Sequence, residues 1–475
     1  MKICFLLEGS YPYVRGGVSS WVDTFIRNLP DHEFILWTIC DFESRRGQFK
    51  YEIPENVVLI QENSMEAALA LRVEKNAYLK MNRREREEVY KLLTCNDPNW
   101  PFIQWFFQEQ VKNPVQFFMS EEFLSILKEY AQKELPSAGF LDLFWTIRSM
   151  FLPLLYLITQ PIAEADLYHS LSTGYGGVIG SLASIKYNKP FVLSEHGIYT
   201  REREEEILLS DWTDPFFKPL WISMFQMFSK LAYRSAHQVT SLFGQASKIQ
   251  QDMGCPPEKC VVVGNGIIVE QYLAIPPKVP NGWVDIGAIV RIAPIKDLKT
   301  LIYTFANLKQ EIANVRLHII GPVEDEEYYQ ECLSLVEFTG VKDVIFTGLV
   351  NVKQYMEKLD FTVLTSISEG QPYAIIESMA AGRPVVATNV GSCRELIEGG
   401  AGDRLGPAGI CVPPMHQTEL LRAFLDMCQN VEMRNQMAEA GRKRAAIYFD
   451  LGKVLTTYLA IYEKAKERWQ ASVLS

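Results

Sequence analysis

Short apolar runs alternate with longer segments of helical periodicity along the whole chain. A short run rich in Val, Ile, Leu and Phe is typical of a strand buried on both faces, and strands that alternate with helices form a parallel sheet. The first half of the chain therefore predicts a doubly wound α/β domain. Its predicted strands are residues 2–7, 34–39, 57–60, 166–169, 191–194, 238–241 and 261–263.

The second half repeats this alternation and predicts a second domain of the same kind. Pro276-Pro-Lys-Val-Pro280 has the composition of a linker between the halves. We expect a first domain at residues 1–276, a second at 277–450 and a final helix, 451–475, that crosses back to the first. Ser392 and Glu395 have the spacing of a capping box, which predicts a helix start. The predicted strands are residues 285–290, 315–320, 343–346, 361–364 and 385–387.

Residues 64–165 differ from the rest of the first half because helical periodicity and aromatic residues dominate them. The densest aromatic clusters are Trp100-Pro-Phe-Ile-Gln-Trp-Phe-Phe107 and Phe140-Leu-Asp-Leu-Phe-Trp145. We predict a helical insertion in which most of these rings pack together, with docking of a partner as the alternative.

Two carboxylates frame one strand–loop–helix junction of the second domain. Glu369 follows the predicted strand 361–364, and Glu377 lies on the helix that begins after Gly370 and Pro372. Ligands of parallel sheets bind beyond the carboxyl ends of the strands. Free N–H groups at a helix start favour an anion, and carboxylates accept hydroxyl donors. The junction predicts a site for a sugar joined to a phosphate, although two glutamates at this spacing also occur by chance.

Two cations follow another strand of the same domain. Arg291 comes directly after the run 285–290, and Lys296 precedes a helical stretch that begins near Leu298. Arg can hold phosphate oxygens with two parallel hydrogen bonds, whereas Lys acts as a mobile point charge. Taken alone, both would be ordinary solvated cations. Beside the glutamate segment they predict a site for a departing diphosphate.

The order Asn265-Gly266, Arg291, Lys296, Glu369, Glu377 resembles the C-terminal half of the retaining glycosyltransferases of family 4. The common pattern has Gly-Arg-Leu and Lys-Gly, whereas Val290 precedes Arg291 here and Asp297 follows Lys296. The string Arg291-Ile-Ala-Pro-Ile-Lys-Asp-Leu-Lys-Thr300 is similar to the branch that makes the Pel exopolysaccharide, typified by PelF. The resemblance implies a GT-B fold, in which two Rossmann-like domains face one another and close over the substrate. It also implies that residues 1–276 form the acceptor side and that residues 277–450 bind the nucleotide-sugar.

The first half carries the same resemblance in two loops. Glu8-Gly-Ser-Tyr-Pro-Tyr-Val-Arg-Gly-Gly-Val18 is similar to the loop that the family places over the donor phosphates, and it includes Gly16 and Gly17. His196 follows the predicted strand 191–194, where the family often has a histidine near the reacting sugar. His169 ends another strand and is expected either to contact acceptor or donor or to be a structural hydrogen bonder.

The resemblance also implies roles for single residues. Arg291, Lys296, Glu369 and His196 are expected to be catalytic, and the edge of the base is expected at the backbone of Leu349 and Val350. UDP is the expected nucleotide on resemblance alone. The residues expected to bind the nucleotide-sugar are Gly16, Gly17, Arg291, Lys296, Leu349, Val350, Glu369, Gly370, Gln371, Pro372, Tyr373, Ala374 and Glu377.

The expected activity is transfer of a sugar from a UDP-sugar to a growing exopolysaccharide, with retention of configuration. One alternative is a catalytically silent scaffold that binds a nucleotide-sugar within an export complex, and another is an ADP-glucose-dependent glucan synthase. The chain has no Asp-x-Asp pair suited to a divalent ion on a diphosphate, so we expect neither a metal nor another cofactor. The expected partners are the donor, a glycan acceptor and membrane-embedded synthase subunits.

Composition narrows the setting of this activity. A net charge of -10 without a long basic run argues against nucleic acid as a partner. The nine cysteines lack paired metal-ligand spacing, and we expect reduced thiols. The longest apolar stretch, 150–158, is shorter than the ~20 residues of a membrane span. We therefore expect a cytoplasmic protein without a transmembrane segment, held at the inner face of the membrane only through partners.

Overall fold

The computed structural model describes residues 1–40, 44, 46–72, 79–400 and 402–474, and it divides into two units. The first unit comprises residues 1–262 and 458–475, and the second comprises residues 263–457. The division precedes the proline-rich segment at 276–280 because Ile267, Val269 and Tyr272 pack in the core of the second unit. Sequence composition marked the linker, whereas packing assigns the residues just before it to the second unit.

The first unit is built on seven strands: β1 (Lys2–Glu8), β2 (Glu33–Cys40), β3 (Val57–Ser64), β4 (Leu167–Ser170), β5 (Phe191–Glu195), β6 (Gln238–Ser241) and β7 (Cys260–Val262). All neighbours pair in parallel, in the order β3-β2-β1-β4-β5-β6-β7. The chain leaves β1 toward one edge and returns at β4 on its other side. This reversal of strand order between β1 and β4 is where doubly wound sheets open a crevice.

The helices that flank this sheet are α1 (Gly17–Arg27), α2 (Ala67–Ala70), α3 (Arg83–Leu93), α4 (Trp100–Trp105), α5 (Pro114–Phe118), α6 (Glu121–Glu134), α7 (Phe140–Thr159), α8 (Tyr175–Tyr187), α9 (Tyr199–Leu209), α10 (Lys218–Ser235) and α11 (Gly244–Asp252). Helices α2 to α7 lie between β3 and β4 and form the predicted insertion. A π-helical turn, Phe106–Val111, continues α4.

Most aromatic rings of the insertion pack against one another, as predicted. Phe107 and Phe123 each meet Phe117 with ring centroids 5.3 Å apart, and all three are buried. Trp105 and Trp145 remain exposed.

Helix α7 extends well beyond the apolar stretch 150–158 that the sequence indicated. Its 20 residues, with a mean hydropathy of 1.4 over the most apolar stretch, are long and apolar enough to cross a membrane. Half of that stretch is buried inside the structure, including Ile147, Phe151 and Leu155. Core helices of water-exposed domains pass the same test of length and composition, so the helix does not by itself indicate a membrane span.

The second unit contains six strands: β8 (Val284–Ile289), β9 (Val315–Ile320), β10 (Val344–Gly348), β11 (Phe361–Leu364), β12 (Val385–Thr388) and β13 (Gly409–Val412). They pair in parallel in the order β10-β9-β8-β11-β12-β13, so the strand order reverses between β8 and β11. The helices are α12 (Val269–Leu273), α13 (Leu298–Glu311), α14 (Glu326–Thr339), α15 (Val352–Met356), α16 (Tyr373–Ala380), α17 (Cys393–Glu398), α18 (Gln417–Gln429) and α19 (Val431–Tyr448).

The last helix, α20 (Leu451–Leu474), begins in the second unit and ends in the first. Two parallel-sheet domains of the Rossmann type are thus present, with a helical insertion in the first. The predicted α/β class is confirmed.

Candidate functional site

A partly buried charge pair lies where the strand order of the second sheet reverses. Lys296 follows β8, Glu369 follows β11, and Nζ of Lys296 lies 2.5 Å from Oε1 of Glu369. Their side chains are only 14% and 13% exposed. The Ser366 hydroxyl donates to the same carboxylate oxygen at 2.5 Å. The sequence predicted both charged residues for this crevice, and the structure brings them into direct contact.

Asp297, the residue that departs from the usual Lys-Gly pattern, has a left-handed backbone with φ 45°. Gly reaches this region without strain, and Asp is one of the few other residues that tolerate it. The Asp297 side chain also accepts a hydrogen bond from the Thr300 N–H and caps α13. The departure therefore preserves the turn that positions Lys296.

Arg291 lies just beyond β8 and is half exposed. Its guanidinium pairs with Glu324, which follows β9 and is equally exposed. Exposed ion pairs contribute little to stability. Arg291 can therefore exchange Glu324 for an anionic ligand at small cost.

Gly391 and Ser392 pack against the loop that carries Glu369 and stabilise it. Both the N–H and the hydroxyl of Ser392 donate to the Gly370 carbonyl, at 3.0 and 2.9 Å. Ser392 thus does not form the predicted capping box with Glu395, because its side chain is committed to this loop. Gly391 has φ 53°, and a Cβ there would collide with the Glu369 carbonyl. The sequence did not predict this support for the Glu369 loop, although the Gly391-Ser392 pair that follows β12 could have indicated it.

Gln371 and Pro372 complete the loop before α16 begins at Tyr373 and Ala374. Gln371 is buried, and its Oε1 and carbonyl accept hydrogen bonds from Asn265, at 2.5 and 2.9 Å. Asn265 thus anchors the loop through the side chain and the backbone of Gln371. The expected contact of Gln371 with the nucleotide-sugar stays a prediction.

Glu377 lies on α16, and its Oε1 accepts a hydrogen bond from the Tyr272 hydroxyl at 2.7 Å. Burial raises the pKa of the Glu377 carboxyl. Lys353 lies over the face of the Tyr272 ring, 5.0 Å from its centroid. Tyr272 therefore orients Glu377, a role that its distance along the sequence concealed.

Leu349 and Val350 follow β10 at the same carboxyl edge of the sheet, and the Leu349 side chain is 76% exposed. Gly348 turns the chain there with φ 63°. The backbone predicted to meet a base is thus on an open loop, two strands away from β8.

Gly16 and Gly17 lie at the start of α1 in the first unit. A Cβ at either position would meet no heavy atom of the described residues within 4 Å, and Gly16 has an extended backbone with φ -178°. Neither packing nor backbone strain within the described chain requires glycine here. Among the described residues, the positions beside these two glycines are open.

His196 directly follows β5 and keeps one ring nitrogen unused. Its Nε2 is buried without a hydrogen-bond partner among the described residues, and the ring meets the Trp21 ring at a centroid distance of 4.8 Å. Burial lowers the pKa of His196 to about 4, so the ring is neutral near pH 7. A neutral ring nitrogen can exchange a hydrogen bond with a ligand hydroxyl.

Of the two roles expected for His169, the structure supports that of a structural hydrogen bonder. The side chain is fully buried between β4 and α20, where Nδ1 bonds the Tyr462 hydroxyl at 2.8 Å and Nε2 bonds the Ser194 hydroxyl at 2.7 Å. Burial lowers the pKa of His169 to about 3. Both ring nitrogens are occupied, so none is left for a substrate.

We expect His169→Ala to lower the free energy of unfolding by ~2–4 kcal/mol, because it leaves a cavity and two hydroxyls without this partner. In the wild type the unfolded histidine binds a proton as pH falls from about 6.5 toward about 3, whereas the folded one does not. Stability should therefore fall with acid in that window, and less steeply in the variant. Chemical denaturation at several pH values measures both effects; unchanged stability with weakened nucleotide binding would restore the ligand contact.

The site contains cations that can neutralise an anion and carboxylates that can accept hydrogen bonds from hydroxyl groups. The described residues contain no group of three or more His, Cys, Asp and Glu side chains placed to hold a metal ion. Cations, helix starts and carboxylates supply the chemistry that the geometry displays.

Comparison with known proteins gives two family matches. Residues 1–258 match the family described as Domain of unknown function (DUF3492), and residues 284–430 match Glycosyl transferases group 1. The second match contains Arg291, Lys296, Glu369 and Glu377.

Curated relatives are similar over parts of the chain. The MMP alpha-(1->4)-mannosyltransferase of Mycolicibacterium hassiacum is 26% identical over 299 residues, which are 61% of this chain and 69% of the relative. The putative colanic acid biosynthesis glycosyltransferase WcaL of Salmonella typhimurium is 31% identical over 169 residues, 33% of this chain and 40% of the relative. The chain thus spans less than half the length of WcaL.

Solved structures share the fold over nearly the whole chain. HepE of Anabaena in complex with UDP has a TM-score of 0.61 at 16% identity and covers 97% of this chain and 99% of its own. The sucrose-phosphate synthase of Thermosynechococcus elongatus has a TM-score of 0.60 at 15% identity, with both chains fully covered. The match over residues 1–258, more than half of the chain, shows that the protein belongs to the DUF3492 family. The group 1 match over residues 284–430 and the shared fold show that it is a glycosyltransferase of the GT-B fold.

Proposed function

We propose that this glycosyltransferase moves a sugar from a UDP-sugar to a growing exopolysaccharide, with retention of configuration at the anomeric carbon. The observation that carries the proposal is the partly buried Lys296–Glu369 pair where the second sheet reverses its strand order, with Arg291 following the same strand as Lys296. HepE has been solved with UDP and with UDP-glucose, and WcaL is named for colanic acid biosynthesis. These similarities support the donor and polymer classes.

Lys296 and Arg291 supply the positive charge that a departing UDP requires. A preorganised charge in a partly buried site stabilises the transition state because it needs no reorganisation as negative charge develops. The N–H groups at the start of α16 add a partial positive charge beside Glu369. Lys296 is largely shielded from water, whereas Arg291 is accessible to the ligand.

The two carboxylates take different parts of the donor. Glu377, oriented by Tyr272, accepts hydrogen bonds from the ribose hydroxyls, and Glu369 accepts a hydroxyl of the transferred sugar. Glu369 is held by Lys296 and Ser366 and sits on a loop anchored by Ser392. Such a fixed acceptor gains strength as the sugar acquires positive charge.

Retention follows from attack on the face that the diphosphate leaves. The bond from the anomeric carbon to the phosphate oxygen breaks, the bond to the acceptor oxygen forms, and the acceptor's proton passes to the leaving phosphate. No carboxylate is required as a covalent nucleophile in this scheme.

Two features of the first unit, taken by itself, suit parts of a nucleotide-sugar. The open space at Gly16 and Gly17 suits a phosphate at the start of α1, and the unpartnered Nε2 of His196 suits a sugar hydroxyl. The PelF-like branch of family 4 is the proposed relationship, with a cytoplasmic location and membrane-embedded synthase subunits as partners.

Incubation of the purified chain with UDP-, ADP- and GDP-sugars, followed by measurement of nucleotide release, tests the proposal. We expect release from at least one UDP-sugar and a clear preference for it over the ADP and GDP donors. Preference for ADP-glucose would favour a glucan synthase. Binding without turnover of any donor would favour a silent scaffold.

Chelation should leave turnover unchanged, because Arg291, Lys296 and the start of α16 replace a divalent ion at the diphosphate. The measurement is the rate of UDP release with and without EDTA. Loss of activity in EDTA, restored by Mg²⁺ or Mn²⁺, would contradict this prediction.

A further inference from the structure

Two cysteine side chains meet near the last strand of the first unit. Cys255 lies shortly after α11, Cys260 is the first residue of β7, and a 3-10 helical turn, Pro257–Lys259, connects them. Their Sγ atoms lie 3.5 Å apart, and both residues are free thiols. A disulfide bond measures ~2.05 Å, so the sulfurs need to approach by ~1.5 Å, a distance that side-chain rotation can supply.

The fold holds the backbone on both sides of this thiol pair. The Cys255 N–H donates to the Gln250 carbonyl at 2.9 Å, which ties Cys255 to the end of α11. Nζ of Lys259 donates to the Arg234 carbonyl at 2.8 Å, and β7 pairs with β6 from Cys260 onward. The two sulfurs are therefore placed together by tertiary contacts as well as by their closeness in sequence.

The two thiols differ in their access to solvent. Cys255 is 2% exposed and belongs to the hydrophobic core of the first unit, whereas Cys260 is half-buried and packs against that core. Burial, together with the neighbouring Cys260, raises the pKa of the Cys255 thiol. Oxidants react with the more accessible thiol of such a pair first, and the second thiol then displaces the oxygen.

We propose that Cys255 and Cys260 form a reversible disulfide when a peroxide oxidises the protein. Hydrogen peroxide transfers one oxygen to the Cys260 sulfur as its O–O bond breaks, which yields a sulfenic acid and one water. The Cys255 sulfur then attacks the Cys260 sulfur: the S–S bond forms, the S–O bond breaks, and the hydroxide leaves as a second water with the Cys255 proton. Two thiols lose two electrons, and the peroxide is reduced to two waters.

This modification site is independent of the proposed transfer of a sugar. It concerns the turn that joins α11 to β7 in the first unit, whereas the proposed chemistry of the leaving diphosphate belongs to Lys296 and Arg291 in the second. A failure of either proposal therefore leaves the other standing.

Tryptic mapping tests the disulfide, because cleavage after Lys259 separates the two cysteines into peptides 249–259 and 260–278. The full chain is treated briefly with hydrogen peroxide, alkylated after unfolding and digested without a reductant. Mass spectrometry should show the two peptides joined, and two of the nine thiols should be lost. Dithiothreitol should separate the peptides again and restore both thiols.

Cys260→Ser removes the half-buried partner and should abolish the joined peptide. Cys428→Ser is the matched control, because Cys428 is likewise half-buried but lies on α18 of the second unit. The joined peptide in the wild type and in Cys428→Ser, with its release by dithiothreitol, supports the proposal. The proposal is overturned if both cysteines stay open to alkylation, if either pairs with another cysteine, or if Cys260 passes to the sulfinic or sulfonic acid without a joined peptide.

Discussion

Turnover of the UDP-sugar should fall roughly 10²-fold or more in each of the single variants Arg291→Ala and Lys296→Ala, by analogy with removal of one preorganised charge stabiliser. Both cations face the position proposed for the leaving diphosphate, and no metal ion is proposed to compensate for either. Initial rates of UDP release at saturating donor measure the effect.

Lys299→Ala is the matched control for this prediction. Lys299 lies three residues beyond Lys296 and pairs with Glu331 at 2.7 Å on the surface. Its loss should leave turnover nearly unchanged. Lys296→Ala also removes the cation beside the largely buried Glu369, so thermal unfolding must be recorded, whereas the exposed Arg291 should be replaceable without loss of stability. Near-normal turnover in folded Arg291→Ala and Lys296→Ala would refute the proposed charge stabilisation.

The two glutamates should separate binding from chemistry. Glu377→Ala should lower the affinity for UDP about tenfold or more. A carboxylate that accepts hydrogen bonds from two ribose hydroxyls stabilises the bound nucleotide in the ground state and in the transition state alike. Glu369→Ala should leave UDP affinity within about twofold and lower turnover, since its contact with the sugar strengthens only in the transition state. Calorimetry with UDP and steady-state rates make the comparison.

Tyr272→Phe refines this test because it removes only the hydroxyl that orients Glu377. Its effect on UDP affinity should be in the same direction as that of Glu377→Ala, but smaller. Equal loss of UDP affinity in the Glu369 and Glu377 variants would contradict the division of roles.

The sequence predicted the sheets and the charged residues because their signals are local. A buried run such as 361–364 followed by Glu369, Gly370 and Pro372 contains the strand, the loop and the helix start in a dozen neighbouring residues. Arg291 and Lys296 follow β8 in the same way. In a parallel sheet the carboxyl ends share one edge, so local order was enough to bring these residues to one crevice.

The supports of the site could not be predicted because their partners are distant in the chain. Tyr272 meets Glu377 across 105 residues, and Asn265 meets Gln371 across 106. His169 bonds the Tyr462 hydroxyl, 293 residues away, and this partner decides between its two expected roles. Ser392 fits a local capping pattern, yet its hydroxyl donates to the Gly370 carbonyl instead. For Ser392, a tertiary hydrogen bond thus replaces the local one.

The anomeric configuration of the product tests directly whether the protein transfers a sugar from a UDP-sugar with retention. Purified chain, its preferred nucleotide-sugar and a glycan acceptor are followed by ¹H NMR, which reports donor consumption and the anomeric coupling constant of the new linkage in one time course. We expect that a UDP-sugar is consumed and that the product keeps the donor's anomeric configuration. An inverted linkage, or no consumption of any UDP-sugar by the folded protein, would contradict it.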